Sequence, residues 1–298
     1  MKLVAIDLDG TLLNPKGQIS EENACALRRA EQEGLQVIIA TGRSYPNAKE
    51  LLAAAGLHPP IISVNGALLH SEAGKLMACQ PLPGSVLKPV WAKLAAQDIY
   101  LEVYTNRGIV TKTKSRTVLE SQWKNFRSAL PSLTADQFYT MLDHHLAQTT
   151  QVKDRELQEM FTSKELEVYK LLLFSFDQQQ LKELRQELIE IEGLNITSSD
   201  RYNLELTSLE ATKGKALKKA AHLLRIPLSE VVAIGDNLND VSMLQIAGFS
   251  VAMGNAAEEV KQICDFITLT NDQHGVAHVI DRLLGGQLPR SRRAQQNA

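Results

Sequence analysis

The residues able to do chemistry fall into four short groups: Asp7-Leu8-Asp9-Gly10-Thr11, Thr41-Gly42-Arg43, Lys213-Gly214 and Gly235-Asp236-Asn237-Leu238-Asn239-Asp240. The first follows directly on the apolar run Leu3-Val4-Ala5-Ile6. Two carboxylates one residue apart at the end of a buried strand repel each other, and burying either is costly unless a cation or a set of donors compensates. Together Asp7, Asp9 and Asp236 make a hard, oxygen-rich set that suits Mg²⁺ better than zinc. Thr41 adds a hydroxyl, Gly42 an unobstructed backbone N–H, and Lys213 a positive charge at a predicted helix start. Such donors beside Mg²⁺ fit the oxygens of a phosphoryl group, whose transfer is mostly positioning and charge neutralisation. Taken singly each group is a weak signal. A lone Asp-x-Asp is usually a turn or a cap, and Lys213-Gly214-Lys215 lacks the upstream glycine of a nucleotide-binding P-loop.

What joins the groups is the pattern of elements that must carry them. Residues 2–6, 35–40 and 61–64 read as apolar strands, separated by helices capped by Ser20 and Ser44 and ended by Gly34 and Gly56. Strand, helix, strand, helix, strand is the pattern of βαβ units and a parallel sheet. In such a sheet ligands bind beyond the carboxyl ends of the strands. Asp7 and Asp9, then Thr41 to Arg43, then Asn65 and Gly66 stand at three such ends, and Asp236 to Asp240 stand at a fourth, after the strand 231–235.

The middle of the chain differs in texture. A hairpin over 67–70 and 75–80 is followed by Pro81, Pro83 and Gly84, which mark a boundary. Beyond it come a helix at 85–97, strands at 99–104 and 108–113, polar helical segments to 162, a strand at 168–176, a helix at 178–192 and a strand at 194–199. This reads as an inserted α+β domain over 84–198. Alternation returns with a strand at 203–208, a helix at 213–225 and short units up to a last helix at 275–284. The expected architecture is therefore α/β, a Rossmann-like parallel-sheet core formed by 1–83 and 199–284, with the α+β insertion between them. The tail 285–298 is basic and polar and is expected to be disordered.

Composition narrows the partners. The chain has 298 residues, 44% hydrophobic and 22% charged, with a net charge of -2, so nothing in its charge balance argues for nucleic acid or an anionic membrane. Asp7 and Asp9 break the opening apolar run, so it does not read as a secretory segment, and no stretch is long and apolar enough for a membrane span. Cys25, Cys79 and Cys264 have no metal-ligand spacing and read as reduced, mostly buried residues. The expected location is the cytoplasm and the expected partner a small phosphorylated metabolite. His274 and His278 sit four apart on a predicted helix but lack a zinc-motif glutamate, and read as helix surface.

The four groups, in this order, resemble the four motifs of the haloacid dehalogenase superfamily. Ser63-Val64-Asn65-Gly66-Ala67 and Gly275-Val276-Ala277 resemble its Cof-type phosphatase branch, in which a cap domain is inserted between the second and third motifs. The resemblance spans residues 1 to 284 and implies hydrolysis of small phosphate monoesters with Mg²⁺. Carried over residue by residue, it implies Asp7 as the nucleophile that becomes an aspartyl-phosphate and Asp9 as the general acid and then base. It implies Mg²⁺ on the carboxylates of Asp7 and Asp236 and the backbone carbonyl of Asp9. It further implies Leu8 N–H, Thr41, Gly42, Lys213 and Asn239 as phosphoryl binders. Asp240 would support the metal shell or pair with Lys213, with Arg43 and Asn65 as further supporting residues. A phosphosugar mutase on the same scaffold and an inert ligand sensor are the alternatives. A signalling receiver domain uses a similar acidic pair, but it is one small domain without a large insertion. The insertion carries no readable code that chooses among sugar, nucleotide, pyridoxal and flavin-precursor phosphates.

Overall fold

Leu-Val-Ala-Ile is too apolar for a sheet edge, and β1 (Leu3–Ile6) is buried throughout, with a parallel neighbour on each side. The computed structural model describes residues 1–129, 133–163 and 165–289. After β1 come β2 (Gln36–Ala40), β3 (Ile61–Ser63), β4 (Leu68–His70) and β5 (Leu76–Cys79). The chain then enters a second sheet with β6 (Tyr100–Thr105), β7 (Gly108–Lys112), β8 (Thr150–Val152), β9 (Val168–Phe174), β10 (Leu194–Thr197) and β11 (Asn203–Ser208). It returns to the first with β12 (Val231–Gly235), β13 (Phe249–Ala252) and β14 (Phe266–Ile267).

The first sheet has eight strands in the order β14-β13-β12-β1-β2-β3-β4-β5. It is parallel from β14 to β3 and antiparallel from β3 to β5. Register decides what meets at its edge. Ile6 lies opposite both Ile39 and Ile234, and Ala40 opposite Ile62, so the residues after β1, β2, β3 and β12 emerge together. Helices bury their apolar faces in its core. Glu21–Gln32, with Asn23 N–H donating to the Ser20 hydroxyl at 3.3 Å, presents Ala24, Leu27 and Ala30 to the core, and Gly275–Leu284 presents Val276, Val279 and Ile280.

Chain contacts divide the protein into one unit of residues 1–79 and 211 onward and another of residues 80–210. The second unit holds the six-stranded sheet β10-β11-β9-β6-β7-β8. Its strands alternate with period two. Leu101, Val103, Leu171, Leu173, Leu204 and Leu206 pack with the helices Gly84–Leu94, Asp154–Thr162 and Gln178–Leu188. The intervening positions carry Glu102, Tyr104, Lys170 and Glu205.

Several expectations change. The strand 203–208, assigned above to the parallel core, pairs antiparallel with β9 and β10 in the second sheet, so the boundary falls after Glu210 rather than at 198. At the other boundary, Leu82 N–H donates to Val168 O at 2.7 Å, which ties residues just after Cys79 to the second unit. A strand within the region read as helical, β8, pairs parallel with β7. Cys25 is exposed and only Cys264 is fully buried. His274 is not on a helix face. It precedes Gly275–Leu284 in a left-handed conformation, and its Nδ1 lies 2.9 Å from the Ser20 hydroxyl. Residues 285–289 are described, with a turn at Gly285 and Gly286, while the rest of the tail read as disordered, 290–298, lies outside the described residues. Among the described residues, no helix is long and apolar enough to cross a membrane.

The second sheet carries a buried ion pair, Lys170 Nζ to Glu205 Oε1 at 2.9 Å, with the Tyr104 ring 4.4 Å from the ammonium. Removing one partner strands the other charge away from water. Glu205→Ala is therefore expected to cost about 3–5 kcal/mol, and the double replacement Lys170→Met, Glu205→Leu much less. Denaturant unfolding followed by tryptophan fluorescence reads this unit, because Trp91 and Trp123 both lie in it.

Candidate active site

The turn after β1 is wide. Leu12 N–H donates to Asp7 O at 3.2 Å and Leu13 N–H to Leu8 O at 2.8 Å, each spanning five residues, a local form found often at functional sites. Gly10 takes φ +77° there, and a Cβ at this position would run into the Asp236 carboxylate, so only glycine lets the two loops approach. The side chain of Leu8 is fully buried, which anchors the turn from below. Asp7 is held by its own N–H, which donates to Ile234 O at 3.1 Å, and its side chain is buried.

Lys213 begins the helix Lys213–Leu223 and is buried. Its Nζ donates to Asp7 Oδ1 and to Asp240 Oδ1, both at 2.6 Å. The other oxygen of Asp240 accepts from the N–H groups of Asp236 and Asn237 at 3.0 and 3.1 Å. Asp240 is thus fully engaged in holding the lysine and folding its own loop. Asp236 accepts the Thr11 hydroxyl at 2.9 Å. The start of the lysine helix is placed by Gly66, whose φ is +99° and whose Cβ, were there one, would collide with the Thr212 carbonyl. Gly214 N–H donates to the Ser242 hydroxyl at 3.0 Å.

On the outer side of the turn Asp9 is exposed and forms a two-pronged pair with Arg43: Nε to Oδ2 at 2.8 Å and Nη2 to Oδ1 at 2.7 Å. Arg43 Nη1 also donates to Asn47 Oδ1 at 2.7 Å. Thr41 is buried at the end of β2, and its hydroxyl accepts Arg43 N–H at 3.1 Å, so the hydroxyl shapes its own loop around Gly42. Asn65 is buried and left-handed, with its N–H on Thr41 O at 3.0 Å and its side-chain oxygen 3.5 Å from Asn239 Nδ2.

The structure therefore brings Asp7, Asp236, Asp240 and Lys213 into one buried cluster, with Asp9 and Arg43 paired at its rim and Asn65 and Asn239 in contact beside it. The sequence reading gave Thr11, in the first group, no role of its own, and passed over Asn47, which only its place four residues after Arg43 on the next helix marks.

Charge is not balanced in the cluster. Oxygens of Asp7, Asp236 and Asp240 lie within 4.8 Å of one another, facing one ammonium. Burial, with Asp240 beside it, pushes the Asp7 carboxyl well above its ordinary value, and the same causes push Asp236 up to about 6. Burial works against the Lys213 charge, yet Asp240 and Asp7 outweigh it and raise the lysine. A set of hard oxygen donors with surplus negative charge fits a divalent cation, with Asp7 and Asp236 the carboxylates that have oxygens to offer.

Comparison with known proteins agrees with this geometry. The sequence matches the family described as haloacid dehalogenase-like hydrolase over residues 4–280. Phosphatase YwpJ of Bacillus subtilis (strain 168) is 40% identical over 285 residues, spanning 95% of this chain and 100% of its own. The 5-amino-6-(5-phospho-D-ribitylamino)uracil phosphatase YwtE of the same organism is 37% identical, spanning 96% of this chain and 99% of its own. The solved structure of a haloacid dehalogenase-like hydrolase from B. subtilis superposes with a TM-score of 0.82 at 40% identity, covering 95% of this chain and 100% of that one.

The raised carboxyls make a stability prediction for the metal-free protein. Folded Asp236 and Asp7 keep protons at pH values where the unfolded chain has released them, so stability falls as pH rises above the ordinary aspartate value of 3.8 and through the raised values, about 6 for Asp236. Melting in the presence of a chelator is expected to show this fall. Asp236→Asn should flatten it and melt higher than the wild-type protein at neutral pH.

Proposed function

Because the chain belongs to the haloacid dehalogenase-like hydrolases, in their Cof-type phosphatase branch, we propose that it hydrolyses small phosphate monoesters with Mg²⁺ through an aspartyl-phosphate on Asp7. The observation that carries this reading is the pair of unlike carboxylates on one turn. Asp7 is buried against Lys213, whereas Asp9 faces outward beside Arg43.

In the first step an Asp7 oxygen attacks phosphorus, the ester P–O bond breaks, and the leaving oxygen takes the proton that Asp9 carries. In the second, Asp9 takes a proton from water, the water oxygen attacks phosphorus, and the bond to Asp7 breaks, releasing inorganic phosphate and restoring both side chains. Leu8 N–H, Gly42 N–H, the Thr41 hydroxyl, the Lys213 ammonium and the Asn239 amide hold the phosphoryl oxygens. Asp7, Asp236 and the backbone carbonyl of Asp9 would hold Mg²⁺, which supplies positive charge for the phosphoryl oxygens when bound. Arg43 holds Asp9 at the rim through its two-pronged pair. Asp240 keeps Lys213 extended toward Asp7, and Asn65 orients Asn239.

In this reading the inserted unit acts as the cap and sets substrate choice. The substrate is a small phosphorylated metabolite of the cytoplasm, with no part for nucleic acid or membrane. Relatives named as phosphatases of 5-amino-6-(5-phospho-D-ribitylamino)uracil and of pyridoxal phosphate support including both esters, with sugar phosphates and nucleotides, in the test panel.

The test is phosphate release from that panel, with and without Mg²⁺. Release is expected to require Mg²⁺ and to vanish in Asp7→Asn. Asp9→Asn should lose about 10²–10⁴-fold in kcat, the scale of general acid–base catalysis, while binding Mg²⁺ nearly as well as wild type. Near-normal turnover in Asp7→Asn would overturn the mechanism.

A further inference from the structure

The catalytic turn is held at its inner end by β1 and at its outer end by a chain of asparagine hydrogen bonds that the reaction scheme does not use. Asn255 lies in the loop after β13 and is exposed. Its Nδ2 donates to Gly10 O at 2.8 Å, and its Oδ1 accepts Asn271 N–H at 2.9 Å. Asn271 Nδ2 in turn donates to Leu13 O at 2.8 Å. The two side chains therefore grip both ends of the segment from Gly10 to Leu13. The loop that carries Asn255 also grips the acidic loop: Ala257 N–H donates to Asp236 O at 3.0 Å, and Met253 N–H to Gly235 O at 3.0 Å.

One short loop thus bonds to both halves of the carboxylate cluster. Those halves meet where Gly10 faces the Asp236 carboxylate and the Thr11 hydroxyl bonds to it. Gly10 is only half-buried and Asn255 is exposed, so the bond from Asn255 to Gly10 O ties the turn to the neighbouring loop at the rim of the site. We propose that Asn255, backed by Asn271, is a positioning residue that sets the spacing between Asp7 on the turn and Asp236 on its loop, and so the affinity of the site for its divalent cation. The proposal rests on the function proposed above only for the identity of that cation.

The experiment uses the full chain and the variants Asn255→Ala, Asn271→Ala and their double. Calorimetric titration with Mg²⁺ alone, melting temperature, and kcat and KM for the best ester are measured on each. Groups that orient ligands from behind typically change metal affinity or activity by about 10–100-fold. Asn255→Ala is expected to weaken Mg²⁺ binding and lower kcat by about 10-fold or more, with the melting temperature and KM little changed. Asn271→Ala keeps the N–H that Asn255 Oδ1 accepts and removes only the bond to Leu13 O, so the double variant should be at least as impaired as Asn255→Ala. Mg²⁺ affinity and kcat within twofold of wild type in Asn255→Ala would overturn the proposal. So would a double variant that binds Mg²⁺ as tightly as wild type. If wild type released no phosphate from any ester while Asn255→Ala still weakened Mg²⁺ binding, the proposed function would fall and the positioning role would stand.

Discussion

One buried ammonium organises the site. Lys213 reaches Asp7, which ends the first strand, and Asp240, which closes a loop more than two hundred residues later. Taking three charged groups out of water is costly, and the cost is met only because every partner is close and every oxygen of Asp240 is used. Lys213 also favours the Asp236 charge, but less than burial and Asp240 oppose it. The cluster is left with more acidic groups than its lysine can match, a balance that fits the cation proposed for it.

The loops must come unusually close to keep that arrangement, and backbone strain is where this shows. Val64, Asn65 and Gly66 are left-handed in succession, with φ of +53°, +56° and +99°. A β-branched residue at positive φ is disfavoured, so the surroundings must enforce it. Val64 N–H on Arg43 O at 2.9 Å and Asn65 N–H on Thr41 O at 3.0 Å do so. The reward is local. The turn passes close enough to Thr212 to seat the first turn of the lysine helix while keeping Asn65 against Asn239.

Much of this was legible before any coordinates. Strand β1 and the helix Gly275–Leu284 follow from apolar runs and helical periodicity, and four polar groups at parallel strand ends already imply a shared edge. Less legible were facts that depend on a distant partner. Nothing local in Asp9 or Arg43 states that they pair with each other, since the bond spans residues on different strands' ends. β11 alternates like any half-buried strand, and alternation does not name its neighbours, so its sheet was misassigned. β8 is three residues long and polar, too brief for a period to register. His274 lies within a helix-like spacing, yet the chain turns left-handed there before the helix begins.

The strand order has a consequence for how the molecule comes into being. β2, one neighbour of β1, follows it closely in the chain, but the other neighbour is β12, with Leu3 opposite Val231. The inserted unit, by contrast, is one continuous stretch of residues 80–210 and finds all its sheet partners within itself. As the chain leaves the ribosome every strand of the insertion emerges before Lys213 and Asp240 do, and pairings distant in sequence close late. No nascent chain short of the acidic loop can therefore hold the cluster of Asp7, Lys213 and Asp240.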